Sequence, residues 1–308
     1  MAKCSSDSRA ALRRSAEASV TDTSQDQSDV AFDFVRTLAA ELSRGNVDLP
    51  SFPEIAVRVR RVLSDPKSSV EQVVRVVGSE PSLAARLLRI ANSASLNRSG
   101  KTVTDLRTAV NRIGYNMVRS AAMSFSMAQI RKSSKLAGLE DQLTTLWQRS
   151  TVVAAFAFVL ARTCTKVNAD EAMLTGMMHG IGKLYVLTRA IDHPELFLTG
   201  RTLDDIIGEW HASIGKAIIE NWEFSESMAQ AVGDQADLTR VHDGPADLSD
   251  VIVVAILMAE HAGDLPGLEA ALDGLPAAKR IGLTEEKTQA VMRESSAEVA
   301  ALSQALGN

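Results

Sequence analysis

Five histidines and two cysteines are the side chains of this 308-residue chain best suited to metal or nucleophilic chemistry. Cys4 and Cys164 cannot build a four-thiolate zinc site or a disulfide framework, which fits a reducing compartment. His193, His242 and His261 fall in expected loops or at helix ends, with no partner at ligand spacing, and are assigned no role. No Ser/His/Asp triad can be argued from the spacing. Gly176, Gly180 and Gly182 lie within seven residues, but no strand precedes them and no Lys-Ser/Thr follows. They therefore do not make a phosphate loop, and they point to close helix–helix approach or to a break. Met173, Met177 and Met178 at helical spacing read as core, and Cys164 as a small buried hydrophobe.

Charge supplies a second kind of chemistry. Between Pro50 and Lys135 fifteen Lys and Arg stand against five acids, a net +10, which leaves −15 on the remainder of a chain whose total is −5. The segregation suggests an anionic partner for the basic half or electrostatic docking between the halves. Arg58, Arg60 and Arg61 are its densest cluster and the candidate anion- or partner-binding residues. The plainer alternative is a set of solvated helix faces, since arginine also favours helices. Nucleic acid would be the sharpest reading of a basic half. Only 8 Phe, 3 Trp and 2 Tyr are available for base stacking, however, and the rest of the chain is acidic.

These residues must be positioned by helices. Phe34, Val35, Leu38, Ala39 and Leu42 repeat at three and four, predicting a helix over 30–43. Pro50-Ser-Phe-Pro53 opens a second helix that Ser64-Asp65-Pro66 ends. Ser69-Val-Glu-Gln72 reads as a capping box, Pro81 as a first-turn proline, and Thr104 as the cap of a helix interrupted at Gly114. Further helices are expected at about 140–164, 169–178, 182–190, 203–207, 211–222, 225–236 and 248–262, with a weaker, more polar helical region over 276–305. No segment alternates with period two, so the fold class is all-α, a bundle of roughly a dozen helices. Residues 1–28 read as a disordered polar tail lacking the apolar stretch of a signal peptide. No apolar run approaches the ~18 residues that span a bilayer. The chain is expected to be soluble and cytoplasmic, with no membrane partner.

Two segments resemble a known family. Leu49-Pro-Ser-Phe-Pro-Glu-Ile-Ala, Leu63-Ser-Asp-Pro, Ser79-Glu-Pro-Ser-Leu-Ala-Ala-Arg-Leu-Leu-Arg-Ile-Ala-Asn-Ser-Ala94 and Val103-Thr-Asp-Leu-Arg-Thr-Ala-Val-Asn-Arg-Ile-Gly114 follow one another in order. This succession closely resembles the HDOD domain, the HD-related output domain of bacterial signalling proteins. Ala169-Asp-Glu-Ala-Met-Leu-Thr-Gly-Met-Met-His-Gly-Ile-Gly-Lys-Leu184 is similar to the Gly-Leu-Leu-His-Asp-Ile-Gly-Lys-Leu segment of HD and HDOD proteins, and Glu209–Trp222 to the helix that follows it. The resemblance covers residues 44–262 and leaves 263–308 as a C-terminal helical extension.

The resemblance implies a pocket that has lost its metal. HD phosphohydrolases hold a divalent ion with an early His, a His-Asp pair and a late Asp, and the ion activates water. Here Arg149 stands where the early His is expected, the pair reads His179-Gly180, and Glu260 falls near the late Asp. Relatives often show paired histidines where this chain reads Gly233-Asp-Gln235, whereas His211 remains. Arg149, His179, Lys183, His211 and Glu260 are thus candidates for a vestigial pocket. No catalytic residue, metal site or cofactor is expected. His179 has a plainer alternative as a hydrogen-bonded core histidine. Arg149 and Lys183 could cradle a phosphate or pair with Glu209 or Glu171. The implied function is a non-catalytic regulatory module binding protein partners in a signalling pathway, with a nucleotide signal in the background and a small anionic ligand as a further candidate. The alternatives are a residual phosphohydrolase or nucleotide-binding pocket, and nucleic-acid binding through residues 50–135.

Overall fold

Capping chemistry sets where the helices begin. In the computed structural model, Ser69 Oγ accepts from the Gln72 amide while Gln72 Oε1 accepts from the Ser69 amide, the reciprocal box expected from the sequence. Asp105, rather than Thr104, caps the helix near 106, its Oδ1 accepting from the Thr108 amide at 2.8 Å. The structure describes residues 32–306 except 42, 45–53, 66, 94–100, 132–135, 137, 198–200 and 223, so the expected tail and the Pro50–Pro53 opening lie outside the described residues.

All regular secondary structure among the described residues is helical, with no strand. The order is α1 (32–41), α2 (Glu54–Ser64), α3 (Val70–Gly78), α4 (Pro81–Ala91), α5 (Leu106–Arg131), α6 (Glu140–Cys164), α7 (Ala169–Met178), α8 (Ile181–Ala190), α9 (Arg201–Asn221), α10 (Glu226–Asp234), α11 (Leu248–Glu260), α12 (Leu265–Leu272), α13 (Pro276–Ile281) and α14 (Glu285–Leu306). α5 bends at Gly114, whose φ of 77° is left-handed territory that favours glycine. Two expectations change. The segments at 203–207 and 211–222 are one continuous α9, because Gly208 sits on an exposed face where its missing side chain costs only propensity. The polar region over 276–305 is two helices, α13 started by Pro276 and α14 after it, broken where Gly282 ends α13 at φ 71°.

α2, α3 and α4 pack around α5, whereas α7, α11 and α14 pack around α6, and α5 touches both α6 and α7. Asn92 secures the first group: its Oδ1 accepts from the Val103 amide and its Nδ2 donates to the Val103 and Leu88 carbonyls, tying the chain after the loop back to α4. α1 docks by burying Phe34 and Leu38, and Tyr185 donates a 2.6 Å hydrogen bond to Glu41. His193 meets the Phe34 ring edge-on, a packing role the sequence did not suggest.

α6 is, by length and composition, apolar enough to cross a membrane, contrary to the expectation that no segment is; 67% of its most apolar window is buried, as in a core helix. Met173, Met177 and Met178 are core as expected. Cys164, at the end of α6, is half-buried rather than buried.

The cluster of three glycines is explained by close approach. A Cβ on Gly176 would lie 2.7 Å from the Ala154 Cα, and one on Gly182 only 1.9 Å from the His211 carbonyl oxygen. Gly180 opens α8 directly after His179 closes α7. Gly182→Ala is therefore expected to cost at least about 3 kcal/mol or to abolish folding, because backbone cannot yield as a side chain does. Gly208→Ala, with nothing near its added Cβ, should raise stability by about 1 kcal/mol. Urea denaturation of the two variants distinguishes these outcomes, and equal effects would refute the contact.

Candidate functional site

All five pocket candidates meet. Arg149 comes from α6, His179 from the end of α7, Lys183 from α8, His211 from α9 and Glu260 from α11. With Gln235, Ala236, Leu238, Val253, Ile256 and Leu257 they line a half-open cavity of about 220 Å³. Four of the five sit on helices held together by the glycine contacts, so a cavity wall of side chains lies over a backbone seam.

Each histidine is anchored through one nitrogen. His179 Nδ1 lies 2.7 Å from the Gly176 carbonyl, and His211 Nδ1 lies 2.7 Å from the Ile207 carbonyl. A carbonyl can only accept, so Nδ1 carries the hydrogen and Nε2 keeps its lone pair. His179 is 2% exposed, and burial pushes its pKa down to about 4; the Gly176 hydrogen bond opposes this, while the charges of Lys183 and Arg149 and the neighbouring His211 add to it. The same burial and Lys183 hold His211 below the ordinary imidazole value. Burial likewise lowers Lys183, and the Arg149 charge lowers it further against the pull of Glu260.

Arg149 pairs with Glu260 across the cavity. Neither Glu209 nor Glu171 takes the role suggested for them. Glu171 accepts from the hydroxyls of Ser225 and Ser227 at 2.6 and 2.8 Å, and no ion pair of Glu209 occurs among the described residues. The two readings of His179 coincide, since it is a hydrogen-bonded core histidine and it lines the cavity.

The donor set fits a divalent ion poorly. Two Nε2 lone pairs and one carboxylate are available, but the carboxylate is engaged by Arg149, and Arg149 and Lys183 place two positive charges in the same cavity. The Lys183 and Arg149 charges, which add to the effect of burial in depressing both histidines, would also repel a cation.

The anion candidates of the basic half separate. Arg58 and Arg61 are exposed, whereas Arg60 is half-buried with its guanidinium 5.9 Å from the Trp222 ring. Arg119 stacks on Phe224 and donates to the Leu63 carbonyl, and Arg86, 8% exposed, lies over Phe125. Several arginines of the +10 span thus serve packing over aromatic rings.

Sequence similarity agrees with this architecture. The HDOD domain profile matches residues 49–238, more than half of the chain. The chain belongs to the HDOD family. Among solved structures, a Shewanella amazonensis protein provisionally named a metal-dependent phosphohydrolase is 29% identical, with a TM-score of 0.67 over 88% of this chain and 99% of its own. An HDOD domain protein of unknown function from Geobacter sulfurreducens is 22% identical, with a TM-score of 0.57 over 87% and 97%. An uncharacterized Treponema pallidum protein is 24% identical over 63% of this HDOD chain, which spans 39% of that relative's length.

Two features escaped sequence reasoning. Gln235, 5% exposed, donates from Nε2 to the His179 and Val232 carbonyls and so fixes the turn carrying His179. Beside the cavity, His242 was assigned no role, yet its Nε2 lies 3.0 Å from Asp250, a carboxylate 1% exposed and gripped by Arg280 at 2.7 and 3.0 Å. Burial would raise the Asp250 pKa, but hydrogen bonds from Arg280, His242 and the Asp247 amide carry it below the ordinary value. Arg240 bridges Asp234 and Asp247 in the same network. His242, Asp247 and Asp250 lie close enough to ligate a cation, but the two arginines already neutralise them. The Asp247-x-x-Asp250 capping box is the short-range signal that could have drawn notice to this carboxylate; Arg280, thirty residues on, carried none.

His179 makes stability depend on pH. Its native pKa of about 4 lies below the unfolded value of 6.5, so below 6.5 the unfolded chain binds a proton that the native chain does not. This contribution is intact above pH 6.5 and is lost as pH falls toward 4, by about 3 kcal/mol in all. Urea titrations should show a shallower loss between pH 7 and 4.5 for His179→Gln than for the parent. An unchanged slope would rule out a buried neutral imidazole.

Proposed function

We propose that this HDOD protein is a non-catalytic regulatory module of the bacterial cytoplasm that works by binding, engaging protein partners in a signalling pathway. The observation that carries the reading is the Arg149–Glu260 pair beside Lys183 in the cavity. A guanidinium stands in the pocket where the resemblance expects a histidine ligand, and it occupies the carboxylate that could have replaced the late aspartate. Hydrolysis of a phosphoester needs an activated water and charge neutralisation at the reacting phosphorus. The cavity supplies the second through Lys183, but its donor set poorly fits a metal that would activate water, and it offers only weak bases, since burial lowers the pKa of His179 and His211 against the opposing pull of their carbonyl partners. Family membership supports the signalling context. Arg58 and Arg61, exposed on α2, offer surface cations to an acidic partner.

Purified protein should carry no stoichiometric metal. Supplied with Mn²⁺ or Mg²⁺, it should leave cyclic dinucleotides and nucleoside phosphates unhydrolysed over hours, as followed by chromatography. Turnover at an enzyme-like rate, abolished by His179→Gln, would overturn the reading.

A further inference from the structure

The cavity offers an unusual mixture of polar groups. Lys183 makes no ion pair among the described residues, so an ammonium facing the cavity is uncommitted. Arg149 spends one Nη on Glu260, while its buried Nε has no hydrogen-bond partner. His179, 98% buried, and His211 both commit Nδ1 to a backbone carbonyl, leaving Nε2 as the nitrogen available to the cavity. The unmet groups are therefore cationic donors on one side and neutral lone-pair acceptors on the other. Unmet polar groups in a buried site are costly, and a ligand that satisfies them recovers that cost.

A bare oxyanion matches only half of this arrangement. Its oxygens could accept from Lys183 and Arg149, but they would face the two Nε2 lone pairs and Glu260 with no hydrogen to offer. An oxyanion that also bears acidic hydrogens matches both halves. Size narrows the class further: about 220 Å³ is below the roughly 300–1,000 Å³ typical of pockets that enclose drug-sized ligands. A phosphoryl group fits inside, and anything larger must project through the open side.

We propose that the cavity binds a hydrogen-phosphate group without a metal ion, its charged oxygens accepting from Lys183 and Arg149 and its P–OH hydrogen donating to Nε2 of His179 or His211. The proposal deepens the binding reading above and rests on it in one respect, that the cavity holds no cation. The group could be free phosphate or the monoanionic head of a small phosphomonoester, each of which carries a P–OH hydrogen beside charged oxygens.

Isothermal titration of the full chain in excess EDTA tests it, with inorganic phosphate, sulfate and AMP as separate titrants. Phosphate should bind saturably, and sulfate, which has no hydrogen at neutral pH, should bind at least about tenfold more weakly. AMP binding more tightly than phosphate would identify a phosphomonoester as the source, and weaker AMP binding free phosphate; either upholds the site. Lys183→Met should weaken phosphate about tenfold or more with an unchanged melting temperature. Glu260→Gln, which removes the negative charge from a half-exposed position, should tighten it several-fold. The proposal fails if sulfate binds as well as phosphate, if no saturation occurs up to about 10 mM, if Lys183→Met has no effect, or if binding appears only when Mn²⁺ replaces EDTA. Absence of binding without hydrolysis sinks this proposal alone, whereas Mn²⁺-dependent hydrolysis sinks the non-catalytic reading with it.

Discussion

The backbone of α8 lies against the backbone of α9, and most of the cavity depends on that contact. At Gly182 the neighbour is the His211 carbonyl itself, so the same residue pair that brings the helices together also sets where the His211 ring stands. Gly176 does the equivalent for α7 against α6, where Ala154 is the neighbour. Lys183 follows Gly182, Arg149 lies little more than one turn before Ala154, and His179 fills the break that Gly180 opens. Side chains of ordinary size at the glycines would push the helices apart and disperse the polar groups. Close packing therefore selects which residues can converge, before any of their chemistry operates.

Several charges of this protein are deployed inside its own fold. Arg60, Arg86 and Arg119 lie over Trp222, Phe125 and Phe224, and Arg162 and Arg189 lie over Phe158 and Tyr185. With few aromatic rings in the chain, pairing so many with guanidinium groups accounts for part of the basic excess that first suggested an anionic partner. On the other side, Asp250 gathers Arg280 and His242, while Arg240 joins Asp234 to Asp247. This network ties α13 to α11 and pins the segment whose Gln235 and Leu238 line the cavity. Asp250, 1% exposed, is stable there because Arg280, His242 and the Asp247 amide all donate to it, and removing Arg280 would leave a buried carboxylate short of its main partner.

Much of the fold was legible because helices announce themselves locally. The Ser69–Gln72 box, the first-turn proline of α4 and the glycine at 114 are signals that act within a few residues. The errors fall where local signals were ambiguous. The gap expected between 203–207 and 211–222 is helical, Gly208 included, because an exposed glycine costs a helix little when flanking apolar residues are packed. Gly282, by contrast, does break the polar C-terminal region, since it adopts a left-handed conformation that closes α13. The candidate pocket residues were reached through a resemblance, and no spacing rule joins Arg149 to Glu260, 111 residues apart.

By itself, the sequence determined an all-α chain, the order of its helices and the family segments that carry His179 and His211, because periodicity, caps and motifs are short-range properties of the polymer. Only the tertiary structure decided that Arg149 pairs with Glu260 and not with Glu171 or Glu209, that Arg60 is spent on Trp222, and that His242 joins a buried carboxylate. These choices depend on which helix faces meet and how closely. Electrostatic strength varies with distance and burial, neither of which a linear sequence specifies.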